Sequence, residues 1–165
     1  RTMNNVGDVN GDGLPDFIIG TPDLDTGGKA NVGKAYVVFG QSTGTAINVT
    51  ELDAGTSNKG FVINGNGGVT DEKFGGPVAG AGDVNGDGIE DLILGGNLSN
   101  VKPELGTYDA GYGEVLLGKG DGSFTFWPNR AHGLKLAGDI RAISRIGSKQ
   151  LLFVKNNAPA EIWTY

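Results

Sequence analysis

Apolar residues occur in this chain as short runs, each bounded by glycine or charge. Examples are Phe17–Ile19, Tyr36–Phe39, Phe61–Ile63, Leu92–Leu94, Val115–Leu117 and Leu151–Val154. Such lengths suit strands and are too short for helices. No segment places apolar residues at i, i+3, i+4 and i+7 between caps, so no helix is predicted. The polar stretch 41–73 holds one further strand candidate, Gly60–Asn64. Asp121-Gly122-Ser123 separates Val115–Leu117 from Phe124–Trp127, as a hairpin turn should. The pattern predicts an all-β chain of many short strands.

The pattern also repeats. Residues 7–13 read GDVNGDG, and so do residues 82–88. After them, Leu14 to Gly20 correspond to Ile89 to Gly95, and Gly33–Gly40 (GKAYVVFG) to Gly111–Gly118 (GYGEVLLG). A weaker third copy starts at Gly138-Asp139-Ile140 and leads into Leu151–Val154. The starts lie 75 and then 56 residues apart. Unequal periods suit one supersecondary unit with loops of variable length. Each unit offers three or four antiparallel strands, the form of a β-propeller blade. The expected units are about 1–73, 74–130 and 131–165.

Composition narrows the functional classes. Glycine supplies 31 of the 165 residues, against about 7% in ordinary chains, and its natural place is in tight turns. Absence of cysteine excludes disulfides, thiolate metal sites and a cysteine nucleophile. No apolar run is long enough to span a membrane. A net charge of −6 with scattered Lys and Arg argues against nucleic acid. Arg1 at the start, with no leader visible, suggests a processed chain or a fragment.

The sharpest chemical signal is D-x-N-x-D-G-x-x-D, present twice. Its oxygens come from Asp8, Asn10, Asp12 and Asp16, and from Asp83, Asn85, Asp87 and Asp91. The carbonyls of Leu14 and Ile89 stand where a backbone ligand is expected. Six of the 19 acidic residues gather in these loops and would repel one another without a cation. An all-oxygen set selects a hard cation, and Ca²⁺ tolerates such loops better than Mg²⁺. Two Ca²⁺ would bring the charge to −2. The plainer reading, Asn-Gly and Asp-Gly as hairpin turns, leaves the repeated acid at position nine unexplained. An EF-hand would need an acid at position twelve, where Ile19 and Leu94 stand.

Together with Phe74-Gly75, Gly80-Ala81-Gly82 and Tyr36-Val37-Val38-Phe39-Gly40, these loops resemble the FG-GAP repeats of integrin alpha-chain β-propellers and their bacterial relatives. The resemblance covers residues 6–40 and 60–118. It implies a partial propeller of about three blades, with calcium in loops that join neighbouring strands. It carries over Asp8, Asn10, Asp12, Leu14 and Asp16, and Asp83, Asn85, Asp87, Ile89 and Asp91, as the ligands of two Ca²⁺. The tail resembles a metal-free terminal blade, with Arg141 and Ile143 where positions three and five would fall. Propellers close with four to eight blades. The missing ones are therefore expected from a longer chain or from other copies of this one.

No catalytic constellation emerges. His132 is the only imidazole, no G-x-S-x-G elbow is present, and Gly118–Ser123 lacks phosphate-loop spacing. Trp127 and Trp163 read as packing residues, and Tyr108 and Tyr112 as surface candidates for stacking on sugars. Asn48-Val49-Thr50 and Asn97-Leu98-Ser99 match the glycosylation triplet. The expected function is a non-catalytic, calcium-stabilised module for adhesion or recognition, with a protein or glycan ligand. The setting would be extracellular, at the cell surface, or periplasmic. The alternatives are the propeller portion of a secreted hydrolase or lyase, and a self-assembling subunit whose assembly depends on calcium.

Overall fold

Among the described residues, eleven strands form three antiparallel sheets, each built from strands consecutive in the chain. The computed structural model describes residues 1–65, 73–95, 113–136, 138, 140–156 and 158–165. The first sheet holds β1 (Thr2–Gly7), β2 (Asp16–Thr21), β3 (Lys34–Val38) and β4 (Gly60–Asn64), in that order. The second holds β5 (Val78–Gly82), β6 (Asp91–Leu94), β7 (Glu114–Gly118) and β8 (Phe124–Trp127). The third holds β9 (Ile140–Arg145), β10 (Gln150–Lys155) and β11 (Glu161–Thr164). The chain is all-β in architecture, and each predicted apolar run lies in or overlaps a strand.

The first strands of the sheets are neighbours: β5 lies against β1 on one side and β9 on the other. An open groove of about 380 Å³ runs between them, lined among others by Asn5, Glu90 and Arg145. The second sheet is therefore sandwiched, and its strand β6 is buried along its whole length. Leu92 and Leu94 enter a core shared with the first sheet, where Val6, Ile18, Val37 and Phe74 meet them. Ile93 enters the other core, with Val115, Leu134, Leu136, Ile143, Leu151 and Phe153. Two-sided burial explains the unbroken apolar run in β6. In β10 buried residues alternate instead: Leu151 and Phe153 face the core, while Val154 is 41% exposed.

Two features depart from the sequence reading. Short helices form at Val49–Asp53 (α1) and Asn129–His132 (α2), too brief to show a helical period. Asn48 caps α1, its Oδ1 accepting from the Thr50 amide at 3.0 Å, so this residue of the first glycosylation triplet has a structural use. Leu52 is buried beneath, and Asp53 anchors the helix through Lys34 Nζ at 2.6 Å and the Tyr36 hydroxyl at 3.2 Å. The second correction concerns the third copy of the motif. Arg141 and Ile143, aligned in the sequence with positions three and five of the loop, lie inside strand β9, which begins at Ile140. The hairpin in the equivalent place joins β9 to β10 through Ile146-Gly147-Ser148-Lys149. Asp139, Tyr108, Tyr112 and the Asn97 triplet lie outside the described residues.

Candidate metal-binding loops

Both acidic loops join the first strand of a sheet to the second, just past a β-bulge. The bulge falls at Val6 in β1 and at Ala81 in β5, just before Gly7 and Gly82, which pair with Asp16 and Asp91 respectively. From there the two loops are hydrogen-bonded alike, residue for residue. Asp8 Oδ1 accepts from the amides of Gly11 (2.7 Å) and Asp12 (3.1 Å), and its Oδ2 from Gly13 (2.8 Å). Asp83 does the same with Gly86 (2.6 Å), Asp87 (2.9 Å) and Gly88 (2.8 Å). Asn10 Oδ1 accepts from the Asp12 amide and Asn85 Oδ1 from the Asp87 amide, both at 3.0 Å. Asp12 Oδ1 accepts from Leu14, and Asp87 Oδ1 from Ile89. Leu14 and Ile89 thus enter the network through their amides.

Position nine has a role that spacing alone did not disclose. Asp16 and Asp91 are fully buried. Asp16 Oδ2 accepts from Val9 at 2.8 Å and its Oδ1 from Gly40 at 2.7 Å. Asp91 repeats this with Val84 and Gly118, both at 2.8 Å. One carboxylate therefore ties the start of its loop to the end of the third strand. The approach is close enough to demand glycine. A Cβ on Gly40 would stand 2.6 Å from the Pro15 carbonyl oxygen, and one on Gly118 would press still closer on that of Glu90. The glycines closing GKAYVVFG and GYGEVLLG were the available signal, without an indication of their partner.

Electrostatics separates the two kinds of carboxylate. The amides of the turn, Gly13 foremost, hold Asp8 below the usual carboxylate range. Burial pushes Asp16 up, against the pull of the Gly40 and Val9 amides, and Asp12 and Asp8 add repulsion. Asp91 is pushed up to about 6 for the same reasons, with Asp87 and Asp83 as the repelling neighbours.

The donor set of each loop is all oxygen, which suits a hard cation. An ionised carboxylate has about four acceptor positions. Asp12 and Asp16, with two bonds each, therefore keep acceptor capacity, as do Asp87 and Asp91. Among the described residues, no three acidic or histidine side chains converge as a preformed cage. The residues fit a hard cation in donor chemistry, and the turns are already organised by their own amides.

Each loop sits at a seam between sheets. The Val9 carbonyl accepts from Gly122 at 3.1 Å, joining the first loop to the β7–β8 hairpin. Phe39, Phe61 and Phe124 line that seam with ring centroids 6.1 and 5.6 Å apart. Beside the second loop, Glu90 faces Arg145 of β9 at 3.5 Å, and the Tyr165 hydroxyl donates to Ala81 at 2.5 Å. His132 is half-buried between Trp127 and Trp163.

Residues 5–38 match the profile of the FG-GAP repeat; they take in the second half of β1, the first acidic loop, β2 and β3. The phosphatidylinositol-glycan-specific phospholipase D of Bos taurus is 32% identical over 124 residues. That alignment covers 74% of this chain and 14% of the bovine protein. The chain thus corresponds to a small part of that relative's length.

Proposed function

We propose, from the FG-GAP repeat at residues 5–38, that this chain is part of a calcium-stabilised β-propeller that serves as an extracellular recognition module. The carrying observation is the duplicated loop: the same side chains make the same bonds at Asp8–Asp16 and Asp83–Asp91. The reading is supported further by three sheets whose first strands lie side by side, as blades do around an axis. Asp8, Asn10, Asp12 and Asp16, with the Leu14 carbonyl, hold one Ca²⁺. Asp83, Asn85, Asp87 and Asp91, with the Ile89 carbonyl, hold the other. The ions neutralise clustered carboxylates and stiffen the seams, and ligand recognition falls to other loops of the module. The module itself is non-catalytic.

Calorimetric titration of the metal-free protein with Ca²⁺ tests this reading. Two sites are expected, one lost in Asp12→Ala and the other in Asp87→Ala. Binding unchanged in both variants would refute the assignment.

A second reading is favoured by the bovine phospholipase D. Here the module is the non-catalytic propeller portion of a larger secreted hydrolase. Phospholipase assay of the full-length gene product, beside this chain alone, separates the two. Activity confined to the longer protein supports the hydrolase reading, and activity in neither supports the recognition module.

A further inference from the structure

Trp127 on β8 and Trp163 on β11 belong to different sheets, and His132 of α2 stands between them. Its ring centroid lies 5.0 Å from that of Trp127 and 5.8 Å from that of Trp163. Trp163 in turn packs against Tyr165 at 5.3 Å. The two imidazole nitrogens have opposite partners. Nε2 lies 3.1 Å from the Trp127 carbonyl oxygen, and Nδ1 lies 3.2 Å from the Leu134 amide nitrogen. A carbonyl only accepts and an amide only donates, so these partners assign the proton to Nε2 and leave Nδ1 bare. Only the neutral ring satisfies both. The amide it holds begins the Leu134–Leu136 segment, whose two leucines are buried in the core between the second and third sheets.

We propose that His132 is an acid-released latch fastening the third sheet to the second. A proton on Nδ1 sets two N–H donors face to face, frees the Leu134 amide and places a charge between the two indoles. Burial favours the neutral ring and moves its pKa below the ordinary imidazole value, against the pull of the Trp127 carbonyl. The elements packed around it carry Arg130 on α2, Lys135 in the following segment, and Glu161 on β11. Glu161 is itself engaged by Lys155 Nζ at 2.5 Å. None of the three contributes to the shift. Cation–π attraction to the indoles opposes release and sets how acid the medium must be. The latch involves neither acidic loop and stands apart from the calcium reading.

His132 is the only histidine of the chain, so its ring can be followed without interference. Long-range ¹H–¹⁵N spectra and amide exchange of Leu134 should be recorded from about pH 7.5 to 5, with calcium and with chelator. The expected result is an Nε2–H tautomer at neutral pH. Protection of the Leu134 amide should fall at least about tenfold as the ring protonates, after correction for intrinsic exchange. His132→Asn places a non-titrating carbonyl oxygen near the Nδ1 position, and it should keep that protection at pH 5. An Nδ1–H tautomer, or protection that stays constant while the ring titrates, overturns the proposal without any variant. So does acid loosening of the Asn variant equal to that of the original chain, which would place the sensitivity outside His132.

Discussion

Asp16 and Asp91 each satisfy two backbone amides from elements far apart in the chain. Asparagine at either site can accept from one amide but turns an N–H donor toward the other. Asp91→Asn should therefore cost about 1–3 kcal/mol, the penalty of one orphaned buried donor, measured by urea unfolding in chelator. Gly118→Ala should cost a similar amount, about 1–3 kcal/mol, because its methyl is driven into the Glu90 carbonyl. The raised pKa of Asp91 also fixes a sign. Its folded value, about 6, exceeds the ordinary aspartate value of 3.8, so its contribution is fully present below 3.8 and lost as pH rises through 6. His132 pulls oppositely, losing stability as pH falls below the ordinary imidazole value. The difference between Asp91→Asn and the original chain isolates the carboxyl: in chelator, the original should gain relative to the variant from pH 7 to 5. The acid at position nine was legible in the sequence as part of a ligand pattern. Its bond to Gly40 was not, because 24 residues separate the two and no local pattern encodes that closure.

At the scale of the element, legibility followed side-chain burial. Strands β2, β3, β4, β6, β7 and β10 announce themselves as apolar runs. Strands β1 (TMNNVG) and β5 (VAGAG) do not. Both line the groove between sheets, where small or polar side chains let backbones approach. A Cβ on Gly80 would stand 3.0 Å from the Cα of Val6. The helices α1 and α2 stayed hidden because each spans little more than one turn. The acidic loop is the element where calcium should act. With extracellular-type affinities of about 10⁻⁴–10⁻³ M, about 1 mM Ca²⁺ adds roughly 0.4–1.4 kcal/mol per site. Asp12→Ala and Asp87→Ala should each abolish one such increment. Both should leave the melting temperature in chelator nearly unchanged, as differential scanning calorimetry would record.

Among the described residues, the first and third sheets each carry exposed apolar side chains. Met3 on the first sheet is 65% exposed, and on the third Val154 is 41% and Ile162 59% exposed. Leu152 pairs with Ile162, and Val154 lies two residues along on the same face, so these side chains form one apolar surface. The faces that meet the second sheet are filled with just such residues. Light scattering should therefore find the isolated 17.0 kDa chain associating as concentration rises. A Val154→Lys, Ile162→Lys double variant should return it to monomer mass. Association that survives the double variant would place the contact elsewhere.

Among the described residues, no strand of one sheet is borrowed from another, and each sheet is woven only from neighbours in the chain. The chain can therefore be assembled in instalments during synthesis. The four described strands of the first sheet are all present once residue 64 has emerged, before any residue of the second is needed. Pairing within a sheet closes only loops between consecutive strands, the longest in the first sheet being residues 39–59, and such local closures are fast. The slower event is the docking of finished sheets onto one another. An interruption in translation would then leave sheets with their strands paired and the faces they share with the next sheet still uncovered.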